Sequence, residues 1–130
     1  FLSLLYIFTY SPPHPQVLVE EMSSPSVAIG VANPDKADPT DPLAGRDAWL
    51  FTAAPPCRVN GGRWLDYGHK WEQGDHIGVA VDVSEGRLEF YLNGQPQGVA
   101  FTSCCPPLVP VIATGYGTYT LQFLPSSEMK

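Results

Sequence analysis

The stretch from Trp71 to Phe101, WEQGDHIGVAVDVSEGRLEFYLNGQPQGVAF, constrains the fold more than any other part of the chain. From Ile77 the apolar residues alternate as Ile77, Val79, Val81 and Val83. A second alternating run follows at Leu88, Phe90 and Leu92. Alternation of β-branched and aromatic residues with a period of two specifies half-buried strands rather than helix. Glu85-Gly86 and Asn93-Gly94 supply the turns, and Asn-Gly tolerates the positive φ angles that tight hairpins need. A tight turn at Glu85-Gly86 predicts pairs Val83–Leu88, Val81–Phe90 and Val79–Leu92, with every apolar side chain on one face. A slip by one residue would mix the faces. Burial of each such side chain contributes roughly 1.5–3 kcal/mol, so that face assignment is strongly determined.

The same stretch carries a family resemblance. Gly74-Asp75-x-Ile77-Gly78 opens it, and a strand ending in Asp82-Val83 follows. Next come Leu88-x-Phe90-Tyr91-x-Asn93-Gly94 and Gly98-Val99-Ala100-Phe101. In that order these pieces resemble the core of a SPRY domain. Downstream, Pro107-Leu108-Val109-Pro110 and Leu121-Gln122-Phe123 resemble the family's closing strands, and upstream Val27–Ala32 resembles an early strand. The resemblance runs from about Val17 to Leu124 and implies an all-β fold: a bent antiparallel β-sandwich of two sheets. Its N-terminal part is expected to be truncated or divergent relative to the family.

Composition agrees with that class. The 130 residues suffice for one domain with a real core. The 14 Pro and 12 Gly punctuate short apolar runs, a pattern of sandwiches and barrels. No stretch reads as a helix of three turns. The net charge of −6 disfavours nucleic acid and anionic membrane surfaces, which need clustered Lys and Arg. Three Cys and no N-x-S/T site point to free thiols in a reducing, cytoplasmic setting.

Residues 1–15 form an apolar, proline-rich segment, 16–125 the sandwich and 126–130 a tail. FLSLLYIFTY at the start is about half the length of a membrane span. It is expected to pair as a strand at the sandwich edge, with a targeting segment as the alternative. Further strands are expected at Val17–Met22, Val27–Ala32, Ala48–Ala53, Leu108–Ala113 and Tyr119–Phe123. Trp49, Phe51 and Trp71 are expected in the core. Asn33–Asp47 reads as a long polar loop, and Pro55–Arg58 with Asn60-Gly61-Gly62 as another.

Chemical motifs are sparse. Asp35, Asp38 and Asp41 suggest calcium at first sight, but Pro39 and Pro42 break the alternating ligand pattern of a calcium loop. The Cys and His residues show no zinc spacing, and nothing marks a Cys-His nucleophile pair. No cofactor is expected. The hairpin register above places Asp82 opposite Glu89, two carboxyl groups at the roughly 5–5.5 Å separation of a retaining glycosidase. A repulsive pair eased by Arg87 on an exposed face is the simpler reading.

The SPRY resemblance implies a non-enzymatic recognition module. Such domains bind partner proteins, often short peptides, through loops at one end of the sandwich. Many serve as the substrate-recognition part of ubiquitin ligases or as scaffolds. By residue type and loop position, the candidate partner-binding surface is Asp35, Asp38, Asp41, Arg46, Arg58, Trp64, Tyr67 and Tyr116. Arg58 would grip a partner carboxylate, and Trp64, Tyr67 and Tyr116 would supply apolar contact. Two alternatives stand beside this one: a lectin-like sandwich binding carbohydrate, and a glycoside hydrolase using Asp82 and Glu89.

Overall fold

The computed structural model describes residues 2–4, 16–38, 40–41, 43–82, 84–115 and 117–124. Val83, Tyr116, most of the segment 1–15 and the tail 126–130 lie outside the described residues. Eleven strands follow one another: β1 (Leu2–Leu4), β2 (Gln16–Met22), β3 (Val27–Ala32), β4 (Ala48–Thr52), β5 (Cys57–Asn60), β6 (Arg63–Asp66), β7 (His76–Asp82), β8 (Arg87–Leu92), β9 (Gln95–Phe101), β10 (Val109–Thr114) and β11 (Tyr119–Leu124). No helix occurs among the described residues.

Two antiparallel sheets result. One has the order β1-β10-β3-β4-β5-β6 and the other β11-β2-β7-β8-β9. The strands expected at 17–22, 27–32, 48–53, 108–113 and 119–123 all form, with ends shifted by a residue or so. Leu2–Leu4 pairs with β10 at the edge of the first sheet.

Alternation sends Ile77, Val79 and Val81 of β7 and Leu88 and Phe90 of β8 into the space between the sheets. Ile29 and Val31 of β3 and Trp49 and Phe51 of β4 meet them from the other side. An aromatic cluster occupies the centre. Phe51 lies 5.2 Å from both the Tyr67 and Phe90 rings and 6.0 Å from that of Trp71. Trp71 is 1 % exposed and is core, as expected. Truncating Phe51 here would cost about 3–5 kcal/mol, because transfer and cavity effects add.

The β7–β8 hairpin pairs Ile77 with Leu92, Val79 with Phe90, Val81 with Leu88 and Asp82 with Arg87. This corrects the expected register by two residues. The connection is longer than a tight turn because Asp82 organises it: its Oδ1 accepts from the Ser84 N–H at 3.1 Å, the Ser84 hydroxyl at 2.7 Å and the Glu85 N–H at 3.3 Å. A shift of two leaves every side chain on its expected face. It also separates the two carboxylates. Asp82 faces Arg87, while Glu89 faces Ala80, so the opposed pair on which the hydrolase alternative rested does not exist.

Residues 57–66, of which Cys57-Arg58 and Asn60-Gly61-Gly62 read from sequence as loop, are strand and turn. They form the β5–β6 hairpin, with Asn60 opposite Arg63. Gly61 and Gly62 make its two-residue turn at φ 63° and 75°, the same left-handed geometry that Asn93 (φ 51°) and Gly94 (φ 82°) give the β8–β9 turn.

The loop from 33 to 47 folds back over the outer face of the first sheet. Ala37 and Leu43 pack on a second apolar layer that includes Ala28, Leu50, Val59 and Val111. Backbone bonds staple its far end to the β5–β6 turn: Gly61 N–H donates to the Gly45 oxygen at 2.8 Å and Gly62 N–H to the Leu43 oxygen at 2.9 Å. Asn60 adds two bonds of 2.8 Å, to the Arg46 and Ala48 carbonyls. The sequence showed this loop only as polar; Ala37 and Leu43 anchor it.

Candidate functional site: a groove beside Trp64

On the outer face of the first sheet, strand ends and loops enclose a half-open groove of about 410 Å³. Its floor is Ala28 of β3, Ala113 of β10 and Thr52 of β4. One wall is the β2–β3 turn, Ser24–Ser26. The other is Thr40, Asp41 and Leu43 of the long loop with Trp64 of β6 and Pro55.

Each wall has a local reason to stand where it does. Trp64 pairs with Val59, whose side chain is buried in the outer layer. The indole therefore lies on the outer face, 48 % exposed. Thr52 is buried, yet its hydroxyl is satisfied internally: it donates to the Pro55 oxygen at 2.6 Å and accepts from the Cys57 N–H at 3.0 Å. The floor is thus apolar in effect, because a saturated hydroxyl offers little to a ligand. The Ser24 hydroxyl is engaged too, accepting from the Ser26 N–H at 3.1 Å.

Asp41 is the one charged residue among those lining the groove. It is exposed, and its carboxylate has no ion pair or hydrogen bond among the described residues. Asp38 differs. It accepts from the Thr40 hydroxyl at 2.6 Å and the Thr40 N–H at 2.9 Å, and these bonds, the hydroxyl's first, hold its carboxyl below the usual aspartate range.

The structure divides the candidate surface. It brings Asp41 and Trp64 together in the groove. Asp35, Asp38 and Arg46 are exposed elsewhere on the same loop. Arg58 and Tyr67 turn the other way, towards the second sheet. Arg58 Nη1 donates to the Ala100 carbonyl of β9 at 2.6 Å, and its guanidinium lies 5.7 Å from the Phe101 ring centre. Tyr67 is buried, 9 % exposed. Its hydroxyl donates to the Gly98 oxygen and accepts from the Phe90 N–H at 3.3 Å. Burial pushes that phenol up to about 12. Both residues are committed to internal contacts. Tyr116 lies outside the described residues.

Sequence reasoning missed the small floor and wall residues Ser24, Pro25, Ser26, Thr52, Pro55 and Ala113. They carry no periodic or motif signal; only the stacking of β3, β4 and β10 gathers them. Among the described residues no cluster of three His, Cys, Asp or Glu side chains is placed to hold a metal ion, and no helix is long and apolar enough to cross a membrane. The three cysteines are free: Cys57 and Cys104 are buried and Cys105 is exposed. Burial, reinforced by the neighbouring Cys105, pushes the Cys104 thiol up to about 12.

Comparison with known proteins places this architecture. No curated protein matches the chain. Among solved structures, the crystal structure of a human SPRY domain is similar, with a TM-score of 0.77 at 17 % sequence identity, over 94 % of this chain and 82 % of that one. At that identity the likeness establishes the fold. The SPRY domain family itself matches the sequence over residues 16–126. This two-sheet antiparallel sandwich, matched over most of its length, belongs to the SPRY domain family.

Proposed function

We propose that the chain is a recognition module that holds a short segment of a partner protein in the groove beside Trp64. SPRY domains are protein-interaction modules. The observation that carries the assignment to this place is the exposed Trp64 standing over an apolar, loop-walled groove. A large aromatic side chain half in water, next to a concave apolar floor, is the usual anatomy of an interaction hot spot. The β-sandwich beneath is rigid and the walls are loops, so affinity and specificity can be varied without disturbing the core. In a cytoplasmic assembly such a module would serve as the substrate-recognition part of a ubiquitin ligase or as a scaffold.

The test is a labelled domain applied to a random peptide array and to a glycan array. Peptides, not glycans, should be retained. Trp64→Ala should weaken retention by about 2 kcal/mol and leave the melting temperature close to that of the parent, because the indole is half exposed. Glycan binding without peptide binding would replace this reading with the lectin one.

A further inference from the structure

We infer that the segment held in this groove carries a Lys or Arg next to an apolar side chain. The inference rests on the groove reading above and adds the chemistry of the ligand to it. Three observations carry it. The floor is apolar, because Ala28 and Ala113 offer only methyl groups and the Thr52 hydroxyl is already bonded internally. An apolar ligand side chain is therefore what the floor accepts without an unpaired polar group. The wall holds a single carboxylate, Asp41, exposed and without a partner among the described residues. Its neighbour Asp38 is engaged by Thr40 and does not line the groove, so Asp41 is the carboxylate that meets a cation there. Finally, Trp64 shares the groove with Asp41, and an indole face attracts Lys and Arg as well as apolar groups.

Charge on a larger scale points the same way. The chain carries −6 overall, which steers cationic partners inward and repels acidic ones. Lys36 and Arg46 sit on the same loop as Asp41, but neither lines the groove. The cavity of about 410 Å³ has room for a few side chains, not for a folded surface. A short basic-apolar segment fits it; an acidic one would bury its charge against Asp41.

The test uses a random dodecapeptide array probed with the whole chain, then fluorescence-polarisation titration of the retained peptides. Retained sequences should be enriched in Lys or Arg beside an apolar residue. Asp41→Asn, isosteric and exposed, should weaken them about fivefold, as loss of one rim charge does. Added salt should weaken the parent more than it weakens Asp41→Asn. Asp41→Lys should shift the retained set towards acidic peptides. Peptides that need Trp64 but show no basic enrichment and ignore Asp41→Asn would overturn this inference and leave the groove reading standing. Peptides indifferent to Trp64→Ala, or no retained peptide at all, would overturn both.

Discussion

The Tyr67 hydroxyl, reached from the end of β6 in the first sheet, donates to the Gly98 carbonyl of β9 in the second. The Tyr67 hydroxyl oxygen accepts from the Phe90 N–H at 3.3 Å, and the ring packs edge-on against Phe51 at 5.2 Å. One side chain thus ties both sheets to the aromatic cluster. Tyr67→Phe keeps the ring and removes the hydroxyl, leaving the Gly98 oxygen and the Phe90 N–H to find other partners. We expect a loss of about 1–2 kcal/mol in denaturant titration, with strand content by circular dichroism unchanged.

The same residue predicts a pH dependence. Burial raises the folded-state phenol from 10.0 to about 12, so the unfolded chain releases its proton first. The stabilisation is fully present below pH 10 and is lost as pH rises from 10 towards 12. Within that window the slope approaches ~1.4 kcal/mol per pH unit. Subtracting the Tyr67→Phe stability curve from the parent curve isolates it; a flat difference would show that the phenol titrates normally.

Arg58 bridges the sheets a short distance away. Its guanidinium donates to the Ala100 oxygen at 2.6 Å and lies over the Phe101 ring. Arg58→Ala should lower stability by about 2 kcal/mol and leave groove binding unchanged once the protein is folded. A variant with parental melting temperature and weakened peptide binding would restore Arg58 to the partner surface expected from sequence.

Gly30 marks the closest approach within the first sheet. A Cβ at this position would lie 1.9 Å from the Trp49 carbonyl oxygen and 2.8 Å from the Leu50 Cα. Both are backbone atoms of β4, so no rotamer relieves the clash. Gly30→Ala should cost about 3 kcal/mol and appear as a sharp fall in melting temperature or in soluble yield. Gly74→Ala tests strain of a different kind, since nothing lies within 4 Å there and only the backbone at φ 96° objects.

Much of this architecture was legible in the chain. Ile77, Val79, Val81, Leu88 and Phe90 alternate, and two sheets need such a half-buried face. Asn93-Gly94 marked its hairpin because few residues accept φ near 51° and 82°. The Gly61-Gly62 turn carried an equal signal, but CRVN and RWLD are too short and too polar to read as strands alone. The two-residue error at β7–β8 came from the Asp82 carboxylate, whose bonds to Ser84 and Glu85 hold a longer connection than the glycine suggested.

The candidate site was legible only in part. By sequence, Trp64 and Tyr67 are two aromatics in one loop, and Asp35, Asp38 and Asp41 are three similar acids. Three-dimensional packing separates them. Trp64 pairs across from Val59 on the outer face, while Tyr67 leaves β6 and turns inward to Gly98. Asp38 folds onto Thr40, and Asp41 reaches the groove.

Most of the strands, their apolar faces and much of the core could be read from the chain alone, β5 and β6 excepted, because alternation and turn chemistry act between residues a few positions apart. That Asp41 and Trp64 share one groove, and that Arg58 and Tyr67 turn away from it, follows from packing over long sequence separations. Those neighbourhoods depend on how the two sheets stack and where the 33–47 loop is stapled, and contacts between residues distant in the chain set both.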